Sequence, residues 1–179
     1  MILRDTRSGV SLIATAFGHL DAEDNSTEAL CALLHVSPPP SWPPEYNGPE
    51  TRAWLRDLMK ADAESMGWLG YYVTATVDGQ PMLAGTAGFK GRPDENGQVE
   101  IGYSIVPELH RQGIATAAIR LLTGHAFANP EVRRIKAETL PRLVPSIGVL
   151  EKCGFMQAGE GFDPEEGKTL LFALDAKTA

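Results

Sequence analysis

The stretch from Val99 to Ala117, VEIGYSIVPELHRQGIATA, most constrains the fold of this chain. Apolar residues alternate with small or polar ones as far as Ile105, which is the periodicity of a β-strand. Pro107 ends this strand, because proline has no N–H to donate to a ladder. From Gly113 onward the apolar spacing becomes helical. The middle of the chain is therefore predicted to pass from a strand through a short loop into a helix.

The loop at residues 110–116 has the features of an anion-binding site. A helix that starts after a loop of small residues presents free backbone N–H groups and the positive end of its dipole. Gly113 allows a ligand to approach the backbone closely, although a glycine can also serve only to open the helix. We therefore expect a phosphate-bearing ligand at this loop.

Bulk composition indicates one soluble domain over residues 1–179. The chain is 43% hydrophobic and 22% charged, and no apolar run has the length of a membrane span. The N-terminus lacks the apolar core of a signal peptide, and Cys31 and Cys153 are expected to be reduced, so a cytoplasmic location is predicted. The two cysteines and four histidines have no metal-ligand spacing.

The formal net charge of −7 argues against nucleic acid as a partner, because phosphate backbones select basic surfaces. The same charge is compatible with a cationic, amine-bearing substrate. It can equally serve solubility alone.

The remaining periodicity predicts strands and helices on both sides of the central loop. The predicted strands are 10–17, 68–77, 82–89, 98–106, 133–139, 155–158 and 169–174, and the predicted helices are 20–36, one starting at Pro49, 113–128 and 145–152. The prolines of residues 38–49 predict a loop, and residues 159–167 predict an acidic turn. The helix after Pro49 is expected to bury Trp54, Leu55, Leu58 and Met59. Three or four of the strands are expected to form an antiparallel meander.

This order resembles the GNAT superfamily of acetyl-CoA-dependent N-acetyltransferases, and most of all its RimJ/RimL-like branch. The family signature Gln/Arg-x-x-Gly-x-Gly/Ala is matched by residues 110–115, HRQGIA, and the short helix that ends in Gly-Phe is matched by residues 146–155, SIGVLEKCGF. The resemblance implies an α+β, three-layer fold. Its central mixed sheet is mostly antiparallel, splayed and flanked by helices.

The resemblance also implies where acetyl-CoA binds. Its pantetheine arm would pair with the backbone of Ile105, Val106 and Pro107 where two central strands separate. Its pyrophosphate would lie on the signature loop, with these contacts: His110, Arg111, Gln112, Gly113, Ile114, Ala115 and Thr116. Ser146 is a further expected contact of the cofactor.

Acetyl transfer to an amine needs a base, a donor for the carbonyl oxygen and help for the leaving thiolate. Glu100 is the predicted base, since it shares a strand face with small residues, although strand carboxylates are often simply solvated. The backbone N–H of Val106 is the predicted oxyanion donor. Ser146 is predicted either to hydrogen-bond the thiol or to cap its helix. Tyr103 is another possible donor, but strand alternation favours core packing for it.

Three positions depart from the family pattern. Leu150 stands where many relatives have a tyrosine acid, Leu143 stands where an asparagine is common, and His110 replaces Gln or Arg. Leu143 and Leu150 favour a second interpretation, an acyl-CoA-binding sensor with vestigial catalysis. A purely structural domain is the third interpretation.

The acceptor is expected between the early helices, the proline-rich loop and the last hairpin. Its predicted contacts, each of which could instead belong to the core, are Trp42, Tyr46, Trp68, Tyr71 and Phe162. The acidic residues of the last turn, Glu160, Asp163, Glu165 and Glu166, are expected to attract an amine or to keep the turn soluble. The chain is therefore predicted to acetylate a primary amine, either a protein N-terminus or a small molecule. A homodimer is possible by analogy with such folds.

Overall fold

A computed structural model describes residues 1–177 as one mixed sheet with helices on both faces. The strands are β1 (Ile2–Asp5), β2 (Val10–Ala14), β3 (Gly70–Val77), β4 (Gln80–Phe89), β5 (Gln98–Ile105), β6 (Arg134–Thr139), β7 (Met156–Asp163) and β8 (Gly167–Asp175). The helices are α1 (Phe17–Asn25), α2 (Thr27–Leu34), α3 (Pro49–Ala61), α4 (Ile114–Phe127) and α5 (Val144–Lys152). Within this described range, none of the helices has the length and apolarity needed to cross a bilayer.

The sheet has the order β1-β2-β3-β4-β5-β6-β8-β7. Strands β1 to β5 form an antiparallel meander, β6 lies parallel to β5, and β8 and β7 continue antiparallel. The predicted α+β class with a mostly antiparallel mixed sheet is confirmed. The meander has five strands rather than three or four, because the segment Ile2–Asp5, of mixed polarity, pairs with β2 along its whole length.

The main core lies between the sheet and the face covered by α4. Alternate residues of β5, among them Val99 and Ile101, pack against Ile114, Ala118 and Leu122 of α4. A second cluster, with Leu30 and Leu34 of α2, covers part of the opposite face. The intervening residues of β5, beginning with Glu100 and Gly102, therefore point to the opposite face, on which α1, α2 and α3 lie.

The helix predicted over residues 20–36 is two helices. Ser26 has an extended backbone and its hydroxyl oxygen accepts a hydrogen bond from the Ala29 N–H at 3.0 Å, so it ends α1 and caps α2. The strand predicted over residues 10–17 stops at Ala14, because α1 already begins at Phe17. A run of helix-forming residues does not reveal such a break, because serine is tolerated inside helices as well as at their caps.

Two further expectations are wrong in detail. Trp54 is exposed, since α3 buries mainly Leu55, with Leu58 and Met59 partly covered. The turn predicted over residues 159–167 is only three residues long, because β7 continues to Asp163 and pairs with β8 as far as Gly167. That hairpin extends past the end of β6 and helps to form the site described next.

Candidate active site

A wedge opens between the two parallel strands at the centre of the sheet. The β5–β6 ladder runs from Gln98↔Arg134 to Ile101↔Ala137 and then stops, although β5 continues to Ile105. The last part of β5 therefore has a partner on the β4 side only. An unpaired strand edge at the middle of a sheet offers its N–H and C=O groups to an extended ligand.

The backbone groups that face this wedge can be deduced from two hydrogen bonds. The Glu100 carbonyl accepts from the Lys90 N–H at 2.9 Å, and the Val106 N–H donates to the Ala84 carbonyl at 3.0 Å. Both bonds point to β4, so alternation directs the groups of Tyr103 and Ile105 toward the wedge. The predicted oxyanion donor Val106 is therefore wrong by one residue, because its N–H is already engaged. The Ile105 N–H has the required direction.

The start of α4 borders the wedge with an open helix N-terminus. Arg111 and Gly113 have positive φ angles of 62° and 80°, which turn the chain sharply before the helix begins. No side chain caps this end and no acidic residue lies in its first turn. The first helical bond is from the Ala117 N–H to the Gly113 carbonyl at 3.0 Å, which leaves the preceding N–H groups for a ligand. The geometry of residues 110–116 is thus suitable for the expected anion-binding site.

His110 has a different position from the one expected for a phosphate contact. Its Nε2 lies 2.7 Å from the Ile105 carbonyl oxygen and donates to it in the Nε2–H tautomer. This bond joins the end of β5 to the signature loop. Gln112 is also engaged, with its amide donating to the Glu108 carbonyl at 3.3 Å, whereas the Arg111 side chain is exposed.

A cavity of about 450 Å³ lies on the other face of the sheet and reaches the wedge. This volume is within the range of small-molecule sites. Its wall includes Gly102, Tyr103 and Ser104 of β5 together with Leu143 and Ser146 at the start of α5. In the described part of the chain, carboxylates outnumber cations on the wall, with Glu23, Glu45, Glu138, Asp163 and Glu166 against Arg52 and Lys90.

The hydroxyls of Tyr103 and Ser146 meet at the boundary between wedge and cavity. Tyr103 Oη lies 2.9 Å from Ser146 Oγ and 3.1 Å from the Ser146 carbonyl oxygen. Burial raises the pKa of Tyr103 to about 12, so this hydroxyl is protonated at neutral pH. No side chain caps α5, so the alternative role of Ser146 as a capping residue is wrong. The core-packing expectation for Tyr103 missed this contact, since only its ring packs against the core.

Glu100 is placed less favourably for the role of base. It is not part of the cavity wall, and its carboxylate forms an ion pair with the Lys90 ammonium. An amine substrate would have to displace Lys90 to reach this carboxylate. The structure therefore gives no support to the predicted role of Glu100, which stays a prediction.

Only two of the five aromatic residues predicted to contact the acceptor lie on the cavity wall. Tyr46 lies on the cavity wall, and its hydroxyl donates to Glu166 at 3.2 Å, which links the proline-rich loop to the last turn. Tyr71 borders the cavity but is buried, with its hydroxyl on the Gly67 carbonyl at 2.8 Å. Trp42, Trp68 and Phe162 are not on the wall, so their predicted placement is wrong.

These three residues have other environments. Trp42 packs near Tyr72, and its indole N–H donates to Glu23 at 3.0 Å. Trp68 packs against Phe89 with the two rings tilted by 55°, and Phe162 is 76% exposed on the outer strand β7. Sequence alone could not separate them from Tyr46, because aromatic residues serve cores and sites alike.

Two functional candidates on the wall were not identified from the sequence. Glu23 is buried and accepts hydrogen bonds from Tyr72 Oη at 2.6 Å and from Trp42, with Arg52 nearby at 3.6 Å. Glu138 follows the last residue of β6 that pairs with β5, and it lies on the cavity wall. The alternation of β6 already placed Glu138 opposite its buried residues, but nothing in the sequence indicated where the ladder would end.

The acetyltransferase (GNAT) domain family model matches residues 17–156. The chain belongs to the GNAT acetyltransferase family. The match includes both the loop at residues 110–116 and the start of α5, which border the wedge.

Several known proteins are similar to this GNAT chain. An uncharacterized N-acetyltransferase p20 from Bacillus licheniformis is 34% identical over 89 residues, which are 50% of this chain and 50% of that protein. The crystal structure of the Salmonella typhimurium acetyl transferase that modifies the N-terminal serine of ribosomal protein L7/L12 has a TM-score of 0.70 at 18% identity, covering 99% of this chain and 100% of that one. Mycobacterium smegmatis RimJ, in complex with CoA-disulfide, has a TM-score of 0.67 at 23% identity, covering 98% and 86%. The chain spans about half to six-tenths of the length of the first curated relatives it matches. These structural similarities establish the fold.

Proposed function

We propose that this chain is an N-acetyltransferase that moves the acetyl group of acetyl-CoA directly to a primary amine. The observation that carries the proposal is the open wedge at residues 102–105, which is bordered by an uncapped helix N-terminus and joined to an acidic cavity. This arrangement has a place for each reactant. The GNAT family membership supports the same activity.

The residues of the wedge fit acetyl-CoA. Backbone groups of Tyr103 would hold the pantetheine arm, and the N–H groups at the start of α4 would hold the pyrophosphate, with Arg111 adding a cation. A Cβ at Gly113 would meet no atom within 4 Å, so the space above this residue is open for phosphate. Acetyl-CoA supplies an acetyl group that is activated as a thioester.

The wedge also offers groups for the chemistry. The Ile105 N–H is directed to stabilise charge on the carbonyl oxygen. Ser146, held by Tyr103, would hydrogen-bond the leaving sulfur. A free thiol has a pKa of about 8.5, far below the value of about 12 for Tyr103, so Tyr103 would keep its proton and act as a hydrogen-bond donor. This pair would take the place of the tyrosine acid that is absent at the buried Leu150.

The acceptor would enter through the acidic cavity. Its carboxylates favour an amine that arrives as an ammonium ion. A peptide N-terminus that begins with serine is one candidate, since the Salmonella typhimurium protein modifies such a terminus. Polyamines and amino-containing antibiotics are small-molecule candidates with the same charge.

An amine panel with free-thiol detection tests the proposal. Purified protein and acetyl-CoA are mixed with a serine-starting peptide, the same peptide with a blocked N-terminus, a polyamine and an aminoglycoside. We expect thiol release with at least one free amine and none with the blocked peptide. Binding of acetyl-CoA without turnover on any amine would favour the sensor interpretation, and the absence of binding would contradict both.

A further inference from the structure

Asn47 is a buried polar residue of the proline-rich loop, and it lies on the wall of the acidic cavity. The residue is only 8% exposed. Over residues 1–177, neither terminal atom of its side-chain amide has a hydrogen-bond partner, yet the amide is not sealed from solvent. The accessible part of this side chain therefore faces the cavity.

An unpaired amide at such a position is unusual, because buried polar side chains are nearly always hydrogen-bonded. Other buried polar groups of the same wall follow this rule. Glu23 accepts hydrogen bonds from Tyr72 and Trp42, and the Thr169 hydroxyl donates to Glu138. The Asn47 amide departs from the rule, and its N–H donors and its carbonyl oxygen are left for a ligand.

The backbone around Asn47 is held on both sides. The Asn47 N–H donates to the Pro44 carbonyl at 3.2 Å, which closes a turn in which Tyr46 has a φ of 60°. The Thr51 hydroxyl in α3 donates to the Tyr46 carbonyl at 3.0 Å, and the Tyr46 hydroxyl donates to Glu166. Asn47 is thus presented from an ordered segment, which lowers the entropic cost of binding a ligand.

We propose that the Asn47 amide binds an amide group of the acceptor, so that the cavity selects primary amines that also carry a peptide-type amide, an assignment that rests on the proposed acetyltransferase activity. Asn47 donates to the carbonyl oxygen of the acceptor amide and accepts from its N–H. A polyamine has no such group, so its binding would leave the Asn47 amide unpaired. Free peptide N-termini and amino acid amides are acceptors of this class.

The substitution Asn47→Leu tests this contact, because leucine is similar in size and has no hydrogen-bonding group. We expect kcat/KM for a serine-starting peptide to fall about 10–100-fold, the effect of losing a pair of buried hydrogen bonds. The value for a polyamine should change far less, and the Kd of acetyl-CoA should not change. Asn96→Leu is the matched control, since Asn96 is exposed in the turn between β4 and β5, outside the cavity wall, and it should keep wild-type kinetics with both acceptors.

Thermal unfolding separates this role from a structural one. Asn47→Leu removes no side-chain hydrogen bond found within residues 1–177, so it should unfold at the wild-type temperature or above it. Equal losses for the peptide and the polyamine, accompanied by a lower unfolding temperature, would show that Asn47 only supports the loop and would overturn the proposal.

The wild-type protein provides the remaining outcomes. Acetylation of the polyamine without acetylation of the peptide would overturn the assignment of Asn47 and leave the acetyltransferase activity intact. If the wild-type protein binds acetyl-CoA and acetylates no amine, the proposed function itself fails, and the assignment fails with it.

Discussion

At the scale of single residues, the role of each backbone group near the wedge depends on whether it points to β4 or to the open side of β5. Val106 and Ile105 are neighbours with similar side chains, yet the Val106 N–H bonds to β4 and the Ile105 N–H faces the wedge. The sequence places both residues at the end of a strand. It does not reveal which of them faces the open side, because that depends on the pairing partner of each.

The hydroxyl pair of Tyr103 and Ser146 provides a prediction at this scale. Tyr103→Phe and Ser146→Ala should each lower kcat about tenfold, the effect of losing roughly one hydrogen bond in the transition state. Because the two hydroxyls act together, the double variant should lose little more than either single one. Steady-state kinetics of the three variants measures this. Losses that multiply would show that the hydroxyls act independently.

At the scale of elements, the start of α1 contains a group that responds to pH. His19 Nδ1 accepts a hydrogen bond from the Ala16 N–H at 3.1 Å, which requires an unprotonated nitrogen. Burial, and then the positive charge of the chain's N-terminus, lower the pKa of His19 from its usual 6.5. Tyr72 contacts the same ring edge-on.

This lowered pKa predicts the sign of a stability change. Below about pH 6.5 the unfolded chain takes up a proton at His19 before the folded protein does, so the free energy of unfolding should fall as pH falls from 7 to 5. Urea unfolding at several pH values measures the effect. His19→Gln keeps an acceptor for the Ala16 N–H without titrating, and it should reduce this slope. An unchanged slope in that variant would assign the pH dependence to other groups.

Elements also differ in how well the sequence predicts them. The segment from β5 through the signature loop to α4 was predicted within a residue or two, because alternation, Pro107 and Gly113 are local signals. The strand β1 was missed, because four residues of mixed polarity form a strand only through pairing with β2. The length of β7 was missed for the same reason.

At the scale of the whole molecule, the site exists because distant segments converge. The signature loop, the start of α5, the end of β6 and the β7–β8 hairpin meet at one broken ladder. Sequence motifs indicated the first two of these segments. The ion pair of Glu100 with Lys90 and the exposure of Glu138 to the cavity could not be predicted, since they depend on where β5 and β6 separate.

The proposed acetyl-CoA binding site depends on this convergence of segments. One substitution, with a matched control at a second glycine, tests it. Gly113→Arg places a long side chain over the start of α4, where the pyrophosphate is expected. Gly79→Arg, in the turn between β3 and β4, introduces the same residue at a nearly equal φ of 78°, also with no atom within 4 Å of its Cβ. Each substitution should destabilise the fold by about 1–2 kcal/mol through backbone strain, so a difference in ligand binding would reflect the site alone.

Calorimetric titration of acetyl-CoA into the wild-type protein, Gly113→Arg and Gly79→Arg is therefore the most direct measurement. The account predicts micromolar binding by the wild type and Gly79→Arg, and loss of binding in Gly113→Arg. Binding of equal strength by all three proteins would place the ligand elsewhere. No binding by the folded wild-type protein would contradict the account.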